Sequence, residues 1–355
     1  MEHNLRFLAG ANAYQRLRTE GFQASAVRAI LGASGGPKWF VLSQLDRVLA
    51  QQVLPYTNAP VHLVGSSIGA WRMACYARKE PLAAIAALED AYVHQEYAPT
   101  ASGAEITTVA REWLGQMLGT DGAGEVLASP QFRLHVITAR AKRLSARESR
   151  LPLLLGLAAA ASSNALNRRR IGRHFERNLF SDPRTAAPFA DIEDGIPTVT
   201  QTLTAQNLVP AILASSAIPL LMPGVRDIPG APSGVHRDGG IVDYHIDLPV
   251  SDDSGIALYP HFVDHLVPGW FDKRMARRRA SAANTRNTLL ICPAPEFVAR
   301  LPGGKIPDRT DFKRYTDAQR VQAWQDTIVA CQALADELSN VLANDQLADR
   351  LEPLL

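Results

Sequence analysis

Residues 61–72 read VHLVGSSIGAWR. An apolar run, Val61–Val64, leads into Gly65-Ser66-Ser67-Ile68-Gly69 and on into Ala70-Trp71-Arg72. Ser67 has a glycine two residues before it and another two after it, the G-x-S-x-G spacing. A chain that turns from strand to helix at a single residue brings its backbone segments so close that side chains at those two positions collide. Gly65 and Gly69 remove the collision. Such a turn lifts the hydroxyl clear of the sheet, and a helix beginning near Ile68 points its free N–H groups and positive end at a nearby anion. A plain Gly/Ser turn has the same composition; the strand before and the helix after favour a nucleophile elbow.

The remainder of the chain fits one α/β domain with additions. Its 355 residues are 46% hydrophobic and 20% charged, enough to bury a large core. The formal net charge of +2, with no half carrying a sustained basic excess, leaves no electrostatic footprint for nucleic acid. Cys75, Cys292 and Cys331 stand singly, without metal-ligand or redox spacing, so a reducing, cytoplasmic setting is expected. The first residues, MEHNLRFLAGANAYQRLRTEG, lack the apolar run and cleavage pattern of a secretory signal. Leu151–Ala161 is too short to cross a bilayer and contains Pro152 and Gly156. These features predict a soluble or peripheral protein.

Upstream of the elbow, Ala26–Gly32 predicts a buried strand ending in Ala33-Ser34-Gly35-Gly36-Pro37-Lys38. A helix over 39–53 should follow, with Phe40, Val41, Leu45, Val48 and Leu49 on one face. Strand, loop, helix and strand make a β-α-β unit with a right-handed crossover. Both glycine turns then open at the same sheet edge, where ligand sites of α/β folds form. From Gly32 the loop begins like G-x-x-x-x-G-K-[ST], but Pro37 replaces the second glycine and Trp39 the hydroxyl residue, so a nucleotide is not expected. The N–H groups of Gly35 and Gly36 suit an oxyanion hole instead, with Lys38 orienting the loop.

Further along, 74–80, 81–97 and 106–118 read as helices, and glycines break the pattern at 119–124. Strands are expected over 133–139, 197–204, 255–258 and 288–291. Residues 151–180 join LPLLLGLAAAA to Arg168, Arg169, Arg170, Arg173 and Arg177. That pairing fits an interfacial lid with peripheral membrane contact through 151–177, and it also fits a core helix followed by a solvated basic one. A helix over 207–216 runs into Ala214-Ser215-Ser216-Ala217-Ile218-Pro219. Residues 317–342 predict one amphipathic helix with Val321, Trp324, Ile328, Cys331, Leu334, Leu338 and Val341 inward. The implied organisation is an N-terminal extension at 1–25, a main domain at 26–300 with a helical insertion at about 141–185, and a C-terminal loop and helix at 301–355 packed on it.

A serine hydroxyl needs a base. His245, His261 and His265 follow Asp238 in the order of a Ser-Asp-His triad, although none of the nine histidines lies beyond residue 265. Alternatively Asp238, set before Gly239-Gly240 in a tight turn, takes the proton itself. Asp243, His245 and Asp247 alternate and, with His236, imitate a metal site; they read better as braces of the Asp238 turn, and neither metal nor cofactor is expected.

The glycine loop ending at Lys38, G-x-S-x-G at Ser67, A-S-S-A-I-P at 214–219 and D-G-G at 238–240, in that order, together resemble the patatin-like phospholipases over residues 26–250. The resemblance implies a three-layer α/β/α sandwich around a mainly parallel sheet. It implies Ser67 as nucleophile, Asp238 as base, and Gly35 and Gly36 at the oxyanion, with Lys38 and Ile68 beside them. It further implies cleavage of lipid acyl esters without histidine or metal. Ser34 and Trp39 depart from the family by replacing the outer glycines of its first loop. Two alternatives remain open on the residues: a triad esterase of the α/β-hydrolase type, and a lipid-binding or scaffold protein that keeps the fold without the chemistry.

Overall fold

The computed structural model describes residues 3–57, 60–98, 101–186, 189, 192, 194–249 and 255–354. An 11-stranded sheet forms its middle layer. The strands are β1 (Leu5–Ala9), β2 (Val27–Gly32), β3 (Val61–Ser66), β4 (Phe132–Ala141), β5 (Phe175–Ser181), β6 (Thr198–Thr202), β7 (Val225–Arg226), β8 (Val235–Asp238), β9 (Ile256–Pro260), β10 (Thr288–Pro293) and β11 (Leu351–Pro353). The main path runs β11-β1-β10-β9-β2-β3-β4-β5-β6. From β10 through β4 every neighbour is parallel. These five strands are nearly continuous apolar runs because helices cover both faces and neither face meets water. The architecture is the three-layer α/β/α sandwich.

One register feature decides where the site forms. β4 is long, and the edge that carries β3 runs on past it. β3 ends with Ser66 opposite Ile137, and on the same edge β8 takes over antiparallel, with Asp238 opposite Thr138. Strands from distant parts of the sequence therefore meet end to end along one partner. Residue 67 and residue 238 fall at that junction.

Several expected elements differ. Residues 1–25 are no appendage, since β1 is buried between β10 and β11. Its LRFLA run buries Leu5, Phe7, Leu8 and Ala9. The stretch expected as a helical insertion is helical over Arg150–Leu166 and Arg168–Arg173, then enters the sheet as β5. FERNLFS hides its strand character because Glu176 and Arg177 are buried and satisfied by Arg140 of β4 and by Asp243 after β8. The helix after the glycine loop opens as a tight 3-10 segment, Gly36–Leu42, and becomes α-helical only at Ser43–Gln52. Residues 74–97 are helical over Ile68–Tyr76 and Pro81–Val93 only, and 119–124 already enters a helix at Gly122. The long C-terminal helix is two, Asp317–Ala330 and Gln332–Ala343. At Cys331 the N–H is shared between the Thr327 and Val329 carbonyls. The break lets Trp324 pack on Phe40, ring centroids 5.0 Å apart, while the second piece lies along helix 43–52. Among the described residues no helix is long and apolar enough to cross a membrane.

Candidate active site

At the end of β3 the backbone turns through Ser67, which has φ 56° and ψ −130°, and the helix Ile68–Tyr76 starts at the next residue. The turn is as tight as the sequence spacing demands. A Cβ built on Gly69 would lie 1.9 Å from the Gly32 carbonyl oxygen, so strand β2 and the new helix touch through backbone alone. Gly65 sits against the backbone of Ala70 in the same turn. A positive φ costs a serine roughly 1–3 kcal/mol and persists only where its surroundings enforce it. Here the Ser67 N–H donates to Ser215 Oγ at 2.8 Å, and Ser215 Oγ donates on to the Ile137 carbonyl at 2.6 Å. Beside it, the Ser66 and Ser34 hydroxyls are 3.0 Å apart, tying the elbow to the glycine loop.

Ser215 is a functional position that small-residue packing alone did not reveal. The only sequence signal for it is its place within A-S-S-A-I-P. Ser215→Ala should leave a buried N–H and the Ile137 carbonyl without this partner. The expected loss is about 1–3 kcal/mol of unfolding free energy in urea, with activity falling alongside because Ser67 is no longer held; unchanged stability and activity would contradict this role.

Asp238 reaches Ser67 from the end of β8. Its Oδ2 accepts from Ser67 Oγ at 2.9 Å, and its Oδ1 accepts from the Gly240 N–H at 2.7 Å. Its own N–H donates to the Ala217 carbonyl, which joins the D-G-G turn to A-S-S-A-I-P. Burial raises the Asp238 pKa above the usual carboxylate value, while Arg309, the Ser67 hydroxyl, the Gly240 N–H and Lys273 pull against that rise. After Gly239 and Gly240 the turn closes with the Asp243 N–H on the Gly239 carbonyl at 2.9 Å. Asp243 is anchored in turn by buried Arg177, through contacts of 2.6 and 2.9 Å.

Gly35, Gly36 and Ile68 line the cavities that border Ser67, and none of their N–H groups donates to another described residue. Gly36 has φ 56°, a conformation that glycine adopts without strain. Lys38 stands at the end of the glycine loop. Its ammonium lies over the Phe262 ring, 4.9 Å from the centroid, and faces a cavity that also borders Ser67.

The histidines lie elsewhere. His245 and His261 pack edge to face with centroids 4.2 Å apart, and their Nδ1 atoms accept from the N–H groups of Val267 and Val263. Burial holds both rings neutral, with His261 pushed down to about 3. His265 is exposed beside Asp264. None of these three lines either cavity at Ser67, so the triad order in the sequence has no counterpart in space. Asp247 accepts from Ser281 and Asn284, and His236 contacts Thr138. Among the described residues no group of three or more His, Cys, Asp or Glu is placed to hold a metal ion.

Two cavities meet at Ser67. One, about 520 Å³, is mostly apolar and includes Ile68, Trp71, Ile106, Ala110, Trp113 and Met222. The other, about 320 Å³, is less apolar and includes Lys38, Tyr244, Lys273 and Arg309. Trp113, Lys273 and Arg309 belong to no motif, and only the fold gathers them.

The family model of the patatin-like phospholipases matches residues 48–245, a span containing both Ser67 and Asp238. The chain belongs to the patatin-like phospholipase family. The matched span begins after the glycine loop, in line with the departures at Ser34 and Trp39. No curated protein matches the chain significantly. Among solved structures, the crystal structure of VipD from Legionella pneumophila is similar with a TM-score of 0.33 and 11% identity, over 73% of this chain and 54% of that one. The chain thus spans about half the length of that structure.

Proposed function

We propose that this patatin-like protein hydrolyses acyl esters of lipids through a Ser67–Asp238 dyad and an acyl-enzyme. The observation that carries the reading is the 2.9 Å hydrogen bond from Ser67 Oγ to Asp238 Oδ2, placed at the junction of an apolar cavity and three N–H groups with no described acceptor. Ser67 Oγ attacks the ester carbonyl carbon as its proton passes to Asp238 Oδ2. The N–H groups of Gly35, Gly36 and Ile68 hold the developing oxyanion, where each such donor is worth roughly 3–4 kcal/mol. The carbon–oxygen bond to the alcohol breaks, and the alcohol leaves with the proton from Asp238. Water then gives a proton to Asp238 and attacks the acyl carbon, and the fatty acid departs as the proton returns to Ser67. Raising the Asp238 pKa by burial makes it a better base than an ordinary carboxylate.

The apolar cavity suits the acyl chain. Leu221 lines it, and exposed Leu220 and Leu221 border a second depression that Arg150 and Leu153 complete. Leu151, Leu154 and Leu155 are also exposed, and Arg169, Arg170 and Arg173 follow on the surface. This greasy rim with cations behind it supports peripheral contact with a lipid surface through 151–177, as expected from the sequence.

The direct test is hydrolysis of p-nitrophenyl octanoate. Wild type should release p-nitrophenol, and Ser67→Ala should fall to the buffer rate with its unfolding transition retained. A Ser67→Ala protein with wild-type turnover would overturn the proposal.

A further inference from the structure

The cavity opposite the acyl pocket is built around charges that the reaction does not use. Lys38, Lys273 and Arg309 all line it, and none of them makes a hydrogen bond or ion pair through its side chain with another described residue. Lys273 is held by aromatic faces, its ammonium 3.8 Å from the Tyr244 centroid and 5.7 Å from that of Trp270. Two carboxylates in the wall act on these cations, Asp308 on Lys38 and Asp238 on Lys273 and Arg309. Asp308 takes Lys305 at 3.1 Å and the Thr310 N–H at 2.7 Å, and Asp238 takes Ser67 and Gly240. Three basic and two acidic side chains therefore share the wall, and cationic groups outnumber anionic ones in it.

We propose that Lys38, Lys273 and Arg309 form an anion subsite on the leaving-alcohol side of Ser67, selecting single-chain acyl esters whose alcohol carries a phosphate. The proposal rests on the hydrolase reading and extends it to specificity. The two cavities offer the halves of such a substrate different walls: the apolar cavity takes one chain, Ser67 sits between, and the cavity with Lys38 and Lys273, which shares Arg309 with the first, takes what the acyl group is joined to. A neutral glyceride would leave the excess of basic over acidic groups in this wall uncompensated. A zwitterionic choline ester would bring its own cation into a wall of like charge. Burial, together with the like charges of Lys38 and Arg309 and against the pull of Asp238, lowers the Lys273 pKa to about 7, and a phosphate seated among them would favour its charged form. Charge-assisted contacts of this kind are stronger than neutral ones and weaken with salt.

Binding to the Ser67→Ala protein tests the subsite without relying on turnover. Calorimetric titration would compare monooctanoylglycerol, its glycerol-phosphate counterpart and the phosphocholine counterpart, each below its micelle concentration. The phosphate ester should bind about tenfold tighter than either other ester. Lys273→Gln and Arg309→Gln should each erase most of that preference, as should high salt. Within that result, competition by inorganic phosphate marks a site for the free anion, and its absence marks a site that takes phosphate only when the chain anchors it. Equal affinity for the three esters, or a preference that survives both substitutions, would overturn the subsite. Failure of the hydrolase reading would show separately, as wild-type protein inert toward p-nitrophenyl octanoate.

Discussion

Asp238→Asn should lower kcat/KM for acyl-ester hydrolysis by about 10³-fold while the protein stays folded. The asparagine amide oxygen still accepts from the Gly240 N–H, so the turn keeps its anchor. Its NH₂ group, however, donates toward Ser67 where the carboxylate accepts, and no group remains to take the hydroxyl proton. The substitution also carries a stability signature. Burial raises the Asp238 pKa above the unfolded value of 3.8, so between that value and the folded one the folded state binds more protons than the unfolded. Stability contributed by this group is therefore present at low pH and is lost as pH rises through that window. Asp238→Asn should remove the loss, giving a protein at least as stable as wild type at neutral pH; denaturant midpoints across pH read this directly.

Arg177→Met should be the most damaging change outside the dyad. The Arg177 guanidinium is fully buried and shared between Asp243, at 2.6 and 2.9 Å, and Asp194, at 2.6 Å, with Thr198 accepting a further bond. Removing it strands Asp243 as an uncompensated buried charge, for which about 3–5 kcal/mol is expected. Because the Asp243 N–H also closes the turn on Gly239, the loss should displace Asp238 and depress activity in whatever fraction stays folded. The exposed Arg16–Glu20 pair gives the contrast: Arg16→Ala should change stability by no more than about 0.5 kcal/mol. Urea unfolding of both variants measures the difference, and equal effects would contradict the bracing role of Arg177.

The elbow was legible because its demands are local. Gly65, Ser67 and Gly69 are set by backbone crowding within five residues of chain, and a strand running into a helix leaves an unambiguous hydropathy pattern. Asp238 was legible only as one of two candidate bases, since nothing local separates a carboxylate on a glycine turn from one that supports a histidine. The β3–β4–β8 register brings Asp238 beside Ser67, and that register joins segments about 70 and 100 residues apart along β4. β5 escaped notice for a related reason. Pattern reading assigns Glu176 and Arg177 to water, whereas the fold buries them against Arg140 and Asp243. The terminal strands were missed because β1 and β11 are short and stable only as neighbours. Lys273 and Arg309 carry no spacing relation to Ser67, so the cationic cavity exists only in three dimensions.

Fluorophosphonate labelling of Ser67, followed by mass spectrometry against pH, tests the dyad most directly because it reads the nucleophile's reactivity without substrate preference. In wild type the labelling rate should rise through a single ionisation lying above the ordinary aspartate value, and in Asp238→Asn it should be slow and flat across the same range. Labelling of Asp238→Asn at the wild-type rate, or a wild-type profile governed by a group that titrates like histidine and vanishes on His245→Ala, would contradict proton transfer from Ser67 to Asp238.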